Sequence, residues 1–477
     1  MRRAGEGAAE VIATAFPDSS HESIAVFAGS GNNGGDGWVV ARRLMETGYR
    51  VRVVETGAPR SDESRTAKAD AQKAGVTSAA DAGEASIVVD ALLGTGSSGE
   101  PRGEIATAIE KILRCKREGA YVFAIDLPSG LDATTGEHQR SVRANCSISL
   151  GTVKRGHLVS RDVCGDIVVL DIGLAESPEL SSLPLLIDAA WVRERVPPIP
   201  PSAHKGTRKR LAIVGGGKGM AGAVILAGEG ALRSGIGLLR IVAWARNDLP
   251  VHASVPAAIF HAWPEAADEM QKLVASTDAV ALGPGLGVSS ETRDLVERVL
   301  LAWNGPAVLD ADALNLFAGD TDSLAVLLGK RPAALTPHPA EMSRLLGVAT
   351  ASVLAERFEV GIELSRKLEA AVLLKGSPTI VFAPSGERYV SAAGTAALAT
   401  GGSGDVLTGI AGTLLAQMSS SAEAAACAAF VHGRAAELCR TVRGTTLDDI
   451  LHAMPSAWNE PLPVFPRNVL GRLESFA

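Results

Sequence analysis

The residues of this chain that could carry chemistry lie in glycine-rich segments that follow short apolar runs. The first segment is GSGNNGGD at 29–36, directly after the run IAVFA. A glycine loop between a strand and a helix directs backbone N–H groups at an anion. The loop also carries Asn32, Asn33 and Asp36, whose side chains suit a ligand that needs hydrogen bonds, or a cation. A turn in which Asp36 serves only as a helix cap is the alternative.

Two further carboxylates are embedded in later apolar runs. Asp90 lies in IVVDALL before a second glycine loop at 94–100, and Asp126 lies in YVFAIDL shortly before Ser129. A carboxylate in apolar surroundings costs free energy unless it is paired or coordinated, which favours proton transfer or a bound cation. Because ligands of parallel sheets bind beyond the carboxyl ends of the strands, we expect the three segments to form one site.

A nicotinamide dehydrogenase is an alternative for this half. Gly29, Gly31 and Gly34 have the spacing of a dinucleotide fingerprint, and Glu55 follows at the end of the next apolar run. Such an enzyme would bind intact NAD and transfer hydride.

The second half contains a segment typical of phosphoryl transfer. Residues 401–404, GGSG, lead into Asp405 and the helical pattern VLTGIAGTLLAQ. Amides at a helix start would stabilise a transferring phosphoryl group, and Asp405 could take the proton of an attacking hydroxyl. Lys375 ends an apolar run and would need an anion such as phosphate. A capping role for Asp405 and a structural role for His338 are the alternatives.

The helices and strands that must position these residues follow an α/β pattern in both halves. Short apolar runs alternate with helical patterns, which predicts two mostly parallel sheets covered by helices. A weak zone at 176–206, with a short strand-like stretch at 185–188, separates domains that we predict at 1–180 and 185–477. The predicted strands are 24–28, 51–55, 87–93, 121–127, 146–151, 167–173, 210–216, 238–244, 279–285, 307–313, 333–338, 370–376 and 379–384.

Composition excludes other classes. With 46 basic and 53 acidic residues among 477, the formal charge is −7, so we expect no nucleic-acid partner. No apolar run approaches the ~18 residues of a membrane span, so we expect no membrane partner. The five cysteines contain no CxxC pair, which fits a reducing cytoplasm. Glycine is abundant, at 51 residues, while aromatics are 4%, as expected of sites built from backbone amides.

The first half resembles the NAD(P)H-hydrate epimerase family over about residues 4–175, through GSGNNGGDGWVVAR, VVDALLGTG and AIDLPSGLD. The resemblance implies a Rossmann-like α/β/α fold, with Asp126 as substrate contact and catalytic acid/base. It also implies a potassium ion held by Asn33, Asp90 and Ser129. The other implied substrate contacts are Asn32, Asn33, Gly34, Gly35, Asp36, Gly94, Thr95, Gly96, Ser97, Ser98, Gly99 and Glu100.

The second half resembles the ADP- or ATP-dependent NAD(P)H-hydrate dehydratases, which are ribokinase-like, over about 185–455. The segments that carry this resemblance are ALGPGLG, VLDADALN, LTPHPAEM, LLKGSPTIV and GGSGD. It implies a magnesium ion with ADP, and Asp405 as the base. The implied contacts to the hydrated dinucleotide are Ala223, Gly285, His338 and Asp405. Those to the adenine nucleotide are Lys375, Gly376, Ser377, Pro378, Thr379 and Gly404.

Together the two resemblances imply a bifunctional repair enzyme for hydrated NADH and NADPH. The first domain would interconvert the R and S epimers, and the second would dehydrate the S epimer with ADP or ATP. We further expect a cytoplasmic homo-oligomer. A ribokinase-like small-molecule kinase fused to a dinucleotide-binding module remains the alternative.

Overall fold

The protein divides into two compact units. The computed structural model describes residues 1–18, 22–174 and 182–475, without the side chains of 267 and 268. One unit comprises Met1–Glu176 with Pro463–Ser475, and the other comprises Ser177–Leu462 with Phe476–Ala477. The predicted second domain, 185–477, therefore differs from the structure, because residues 463–475 return to the first unit. Residues 176–181 of the predicted linker lie outside the described residues.

The first unit is built around one eight-stranded sheet. Its strands are β1 (Ser23–Ala28), β2 (Arg50–Glu55), β3 (Thr77–Ala79), β4 (Ile87–Ala91), β5 (Tyr121–Ile125), β6 (Cys146–Leu150), β7 (Asp166–Leu170) and β18 (Val469–Leu473). Its described helices are α1 (Arg2–Ala15), α2 (Asn32–Glu46), α3 (Asp62–Lys73), α4 (Gly103–Arg117), α5 (Arg155–Val159) and α6 (Arg161–Cys164). The strand order is β18-β7-β6-β5-β4-β1-β2-β3, and only the β18–β7 pairing is antiparallel.

The order of this sheet creates a crevice between β1 and β4. The chain runs outward from β1 through β2 to β3, and in the other direction from β4 through β5 and β6 to β7. Ligands of open α/β sheets bind at such a switch point, beyond the carboxyl ends of the strands. Backbones approach closely there, because a Cβ at Gly29 would lie 1.9 Å from the carbonyl oxygen of Leu92, and one at Gly34 would lie 1.9 Å from that of Gly29.

The second unit holds a ten-stranded sheet. Its strands are β8 (Leu185–Leu186), β9 (Arg210–Val214), β10 (Leu238–Ala243), β11 (Ala258–Ala262), β12 (Ala279–Leu282), β13 (Ala307–Leu309), β14 (Ala333–Leu335), β15 (Ala371–Leu374), β16 (Thr379–Phe382) and β17 (Arg388–Ser391). The order is β11-β10-β9-β12-β13-β14-β15-β16-β17-β8, with β16 antiparallel to both neighbours. The switch point lies between β9 and β12, where the amide of Gly217 donates to the carbonyl oxygen of Gly285 at 2.6 Å.

Thirteen α-helices are described around this second sheet. They are α7 (Ala189–Arg195), α8 (Ala221–Arg233), α9 (Asp248–Ser254), α10 (Ala267–Ala275), α11 (Ser290–Ala302), α12 (Asp312–Asn315), α13 (Thr321–Leu328), α14 (Pro339–Leu346), α15 (Thr350–Ala355), α16 (Ile362–Leu368), α17 (Ser403–Gln417), α18 (Ser421–Leu438) and α19 (Leu447–Asn459).

Both sheets are buried on two faces, as the nearly continuous apolar strand sequences require. In the first unit, α1 and α2 share one apolar cluster with the sheet, while α4 belongs to the cluster on its other face. In the second unit, α8, α17 and α18 pack into the main cluster. The alanine-rich face of α18 allows this close packing on the strands.

All thirteen predicted strands and the predicted strand-like stretch at 185–188 are present. Most of them end earlier than predicted, β1, β2 and β7 begin one residue earlier, and residues 312–313, predicted as strand, belong to α12. The two-domain α/β prediction is confirmed. Four strands were not predicted: β3, β11, β17 and β18. Among the described residues, no helix is both long and apolar enough to cross a membrane.

Candidate active sites

The first candidate site lies at the carboxyl ends of β1, β4 and β5. Asn33 lies in the first turn of α2. Its side-chain nitrogen Nδ2 donates to the carbonyl oxygens of Leu93 at 2.7 Å and Ile125 at 3.1 Å. One side chain therefore ties α2 to the ends of two strands. Its Oδ1 atom is buried and has no hydrogen-bond partner in the described part of the chain.

Asp90 is fully buried in β4 beside Ser129. Its carboxylate accepts from the Ser129 hydroxyl at 2.6 Å, the Ser129 amide at 2.8 Å and the Leu92 amide at 3.2 Å. Burial nevertheless raises the pKa of Asp90 to about 6, because these hydrogen bonds offset only part of the desolvation. A cation would stabilise the charged form.

The donor set of this pocket fits potassium. Hard cations take oxygen ligands, and the predicted set offers an amide, a carboxylate and a hydroxyl oxygen. The unpartnered Oδ1 of Asn33 is the observation that favours a bound cation, since a buried acceptor without a donor is costly. The described residues contain no cluster of three or more His, Cys, Asp or Glu side chains that could hold a metal ion.

Asp126 follows β5 directly and has a left-handed φ of 70°, which is uncommon for a residue other than glycine. Its Oδ1 accepts hydrogen bonds from the Lys154 ammonium and, at 3.4 Å, from the Leu150 amide. A Cβ at Gly94 would lie 3.5 Å from Asp126 Oδ2 and 3.4 Å from the Cβ of Asn33. The structure thus brings the three predicted segments together.

Asp36 is a third buried carboxylate near this site. Burial raises its pKa to about 7, the N-terminal amino group opposes the shift, and the charge of Asp126 adds to it. Its Oδ1 has no hydrogen-bond partner among the described residues, although the N-terminal nitrogen lies 3.9 Å away. Asp36 therefore does not act as a simple helix cap.

The remaining predicted contacts lie nearer the surface. Asn32 is exposed, and its Oδ1 accepts from Ser61 Oγ at 2.7 Å. Gly34 and Gly35 are buried in α2. In the 94–100 loop Gly94 and Ser97 are partly buried, and the others are exposed: Thr95, Gly96, Ser98, Gly99 and Glu100. This loop can form a polar rim.

Glu55 does not present a free carboxylate. It forms an ion pair with Lys68, and its Oε1 accepts from Ser78 Oγ at 2.6 Å. A dinucleotide ribose would have to displace these partners, which weakens the dehydrogenase alternative.

The second candidate site centres on Asp310, which sequence reasoning did not select. Asp310 is buried at the end of β13 and accepts from Thr336 Oγ1 at 2.7 Å, Thr408 Oγ1 at 2.6 Å and Lys375 Nζ at 2.5 Å. Burial lowers the pKa of Lys375, but the charges of Asp310 and Glu341 outweigh it, and the pKa is raised overall. Lys375 therefore carries a positive charge in this site.

Asp405 lies in the first turn of α17, after Gly402 with a φ of 95°. Burial, followed by the charge of Asp310, raises the pKa of Asp405 to about 7, while Lys375 opposes the shift. A Cβ at Gly404 would lie 3.1 Å from Lys375 Nζ, so the start of the helix and the lysine meet. A carboxyl group with this pKa suits a general base near neutral pH.

His338 caps α14 beside the same cluster. Its Nδ1 accepts from the Ala340 and Glu341 amides at 3.1 and 3.3 Å, and its own amide donates to Glu341 Oε2 at 2.8 Å. Burial, together with the charge of Lys375, lowers the pKa of His338, although Glu341 opposes this. His338 therefore caps a helix, as in the structural alternative, and its side chain also feels the charge of Lys375. Its predicted contact with the substrate stays a prediction.

Two loops complete the site. A Cβ at Gly285 would lie 2.8 Å from the Cβ of Ala223, so these two predicted contacts are neighbours. In the 375–379 loop, Arg357 donates to the carbonyl oxygens of Ser377 at 2.8 Å and Pro378 at 3.0 Å, across a cis Ser377–Pro378 bond. Thr379 Oγ1 donates to the carbonyl oxygen of Gly376 at 2.9 Å.

Four residues at these sites were missed from the sequence: Lys154, Asp310, Glu341 and Arg357. A signal existed for Asp310, since it ends an apolar run just as Asp90 and Asp126 do. No local signal existed for Lys154 or Arg357, whose partners lie 28 and about 20 residues away along the chain.

The fold and the candidate sites of the two units indicate the class of protein. Each places glycine loops and buried carboxylates beyond the carboxyl ends of parallel strands, and the second adds a lysine and a carboxyl group at a helix N-terminus, as in enzymes of phosphoryl transfer. The protein is therefore of the α/β enzyme class, with one candidate site in each unit.

Comparison with known proteins identifies the family. Residues 211–456 match the family described as NAD(P)H-hydrate dehydratase, and residues 1–156 match the family described as YjeF-related protein N-terminus. The bifunctional NAD(P)H-hydrate repair enzyme Nnr of Moorella thermoacetica is 36% identical over 93% of this chain and 88% of that protein. The chain belongs to the family of bifunctional NAD(P)H-hydrate repair enzymes, and the predicted epimerase and dehydratase functions are confirmed at the level of that family.

Solved structures resemble the second unit. The ADP/ATP-dependent NAD(P)H-hydrate dehydratase of Bacillus subtilis, co-crystallised with ATP/Mg²⁺, is 29% identical and covers 56% of this chain and 95% of that chain, with a TM-score of 0.50. A ribokinase-like superfamily protein of Enterococcus faecalis V583 is 24% identical over 60% of this chain and 99% of that chain, with a TM-score of 0.52. The ribokinase-like fold of the second unit is confirmed.

Proposed function

We propose that the first site epimerises hydrated NADH and NADPH, with Asp126 as the group that moves the proton. The observation that carries this role is that Asp126 Oδ2 and the Cβ of Asn33 lie 3.5 and 3.4 Å from the position of a Cβ on Gly94, at the switch point of the sheet. The hydroxyl of the hydrate is on a ring carbon bonded to the ring nitrogen. Asp126 takes the hydroxyl proton as the carbon–nitrogen bond opens to a carbonyl, and the electron pair stays on the nitrogen, conjugated with the carboxamide. Closure on the other face returns the proton to oxygen and inverts the carbon.

Asn33, Asp90 and Ser129 would hold potassium at this site. The ion would supply positive charge for the dinucleotide and for the buried carboxylate of Asp90. The backbone and side chains of residues 32–36 and 94–100 would hold the rest of the substrate.

The second site would dehydrate the S epimer. Asp405 takes the proton of the substrate hydroxyl as its oxygen attacks the terminal phosphorus of ADP or ATP. The bond from that phosphorus to the bridging oxygen breaks, and AMP or ADP leaves with the electron pair. The amides at 401–404 and the Lys375 ammonium stabilise the charge of the transferring group. The carbon–oxygen bond then breaks and phosphate leaves with its electron pair, while the neighbouring ring carbon releases a proton to solvent, which restores the nicotinamide double bond. Magnesium bound with the nucleotide would neutralise phosphate charge.

The ligand roles proposed for the second unit rest on its resemblance to the NAD(P)H-hydrate dehydratases. Ala223, Gly285 and His338 would contact the hydrated dinucleotide together with Asp405. Lys375, Gly376, Ser377, Pro378, Thr379 and Gly404 would hold the adenine nucleotide. A cytoplasmic location and a homo-oligomeric state are also proposed, the former supported by five cysteines that are all free.

Two variants separate the sites. Asp126→Asn keeps the shape of the side chain but cannot take a proton, so we expect the separated R epimer to persist with nucleotide present, after subtraction of its spontaneous conversion. Asp405→Asn should leave epimerisation intact and slow nucleotide-dependent recovery of the S epimer by a factor of about 10² to 10⁴. Asp62→Asn, at a side chain 91% exposed in the first unit, is the matched control. Conversion of the R epimer by Asp126→Asn at the wild-type rate would refute the role of Asp126.

A further inference from the structure

The three buried carboxylates of the first site differ in their partners. Asp90 is held by hydrogen bonds from Ser129 and Leu92, and Asp36 has an N-terminal nitrogen 3.9 Å from Oδ1. Asp126 is the carboxylate with a lysine: the Lys154 ammonium forms an ion pair with its Oδ1. Lys154 is not among the residues that the sequence motifs select.

The ammonium of Lys154 is fully engaged. Besides Asp126 it donates to the carbonyl oxygen of Leu150 at 3.0 Å and to Ser149 Oγ at 3.2 Å, so each of its three N–H groups has an acceptor. Its side chain is 14% exposed. An ammonium fixed at three points can hold its carboxylate partner in one orientation.

The backbone around Lys154 is also tightly packed. The Lys154 amide donates to His157 Nδ1 at 3.2 Å. Two residues further on, a Cβ at Gly156 would lie 2.1 Å from the carbonyl oxygen of Asp132. The backbone at Lys154 is therefore held in place by its neighbours, which limits the positions that the side chain can reach.

His157 does not compete for the same carboxylate. Burial, followed by the charge of Lys154, lowers the pKa of His157 to about 4, although Asp126 opposes the shift. His157 is neutral at pH 7, and the cation that faces Asp126 from this segment is the Lys154 ammonium.

These contacts occupy one oxygen of Asp126 and leave the other for the substrate. Among the described residues, the hydrogen bonds to the carboxylate are accepted by Oδ1, whereas Oδ2 lies beside the position of a Gly94 Cβ. We propose that Lys154 is a positioning residue of the epimerase, which holds Asp126 through Oδ1 so that Oδ2 points at the substrate hydroxyl. This inference rests on the proposed role of Asp126.

Lys154→Ala tests the inference. We expect kcat for epimerisation to fall about 100-fold, within the range of general-base contributions, because the carboxylate can turn away from the hydroxyl. KM should change less than about threefold, since Lys154 donates to protein acceptors and not to substrate. Added methylammonium should restore part of the lost kcat by filling the vacated space. The nucleotide-dependent recovery of the S epimer, measured on the same preparation, should stay at the wild-type rate.

Matched variants make every outcome decisive. Lys116→Ala removes another lysine of the first unit, whose Nζ donates to the carbonyl oxygens of Arg143 at 2.8 Å and Ala144 at 3.2 Å, and should leave both activities unchanged. Lys154→Arg keeps the charge but cannot reproduce the three-point geometry, so it should fold and retain only part of kcat. If Lys154→Ala does not fold, the test rests on Lys154→Arg. A wild-type kcat in Lys154→Arg would then overturn the proposal.

Two further results would overturn it: an unchanged kcat in Lys154→Ala, or a loss of kcat in folded protein that methylammonium does not restore. Asp126→Asn is assayed in parallel. If Asp126→Asn stays active, the proposed function fails; if it is inactive while Lys154→Ala is active, only the present inference fails.

Discussion

Replacement of Asp405 by asparagine should both inactivate and stabilise the second unit. The pKa of Asp405 is raised from 3.8 to about 7, first by burial and then by the charge of Asp310. Between these two values the folded protein holds a proton that the unfolded chain has released, so the stability of the wild type falls as pH rises from 4 to 7. The full cost above pH 7 is about 4 kcal/mol, at about 1.36 kcal/mol per pKa unit.

Asparagine has no charge to bury, so its advantage over the wild type must grow with pH. From the same two pKa values, the difference in unfolding free energy between variant and wild type should increase by about 2.5 kcal/mol from pH 5 to pH 8. Loss of the base should lower the rate of dehydration by a factor of about 10² to 10⁴.

The assay is denaturant unfolding without nucleotide, followed by tryptophan fluorescence. Five of the six tryptophans report on the second unit: Trp191, Trp244, Trp263, Trp303 and Trp458. Asp322→Asn, at a side chain 91% exposed, is the control and should show no such pH dependence. A stability difference that is the same at pH 5 and pH 8, or wild-type activity in the variant, would refute the reasoning.

Three other predictions follow from the two sites. Gly29→Ala should unfold or distort the first unit, because its Cβ would lie 1.9 Å from the carbonyl oxygen of Leu92. Epimerisation should be lost while dehydration of the S epimer persists. Equal loss of both activities would contradict this prediction. Exchange of potassium for sodium in the buffer should slow epimerisation alone, measured with separated epimers, and an unchanged epimerisation rate would argue against the proposed ion. Lys375→Met leaves Asp310 buried without a cation, so we expect a loss of about 3–5 kcal/mol in unfolding free energy and a higher KM for nucleotide. Denaturant unfolding and nucleotide titration check this last prediction, and a variant as stable as the wild type would disprove it.

Local sequence signals sufficed for most of the fold. Strands such as β1 and β5 are apolar along their length because both faces are covered, and such runs are visible without knowledge of their partners. The missed strands lack this property. Thr77–Ala79 is short and largely exposed, and Val469–Leu473 alternates in burial at the edge of its sheet.

The position of β18 could not be read from its own residues. It pairs with β7, about 300 residues earlier in the chain, through contacts such as Gly471 beside Val169. Arg472 forms an ion pair with Asp166 across the same edge. The partner of an edge strand is set by which edge is free in the folded unit, and that is a property of the whole chain.

The site residues also fall into two groups, those that a local sequence pattern predicts and those that only the fold brings together. Glycine loops and strand-end carboxylates are local patterns, so Asn33, Asp90, Asp126 and Asp405 could be selected from sequence. Lys154 could not, because only the fold brings its ammonium to a carboxylate 28 residues away.

The central claim is that two sites in one chain act one after the other on hydrated nicotinamide dinucleotides. The most direct test gives the purified wild-type protein a mixture of the R and S epimers of hydrated NADH, with ADP, with ATP or with neither. The return of the reduced-nicotinamide absorbance is then followed. We predict recovery of both epimers with at least one of the nucleotides and none without nucleotide. Failure to recover any absorbance with either nucleotide would contradict the account.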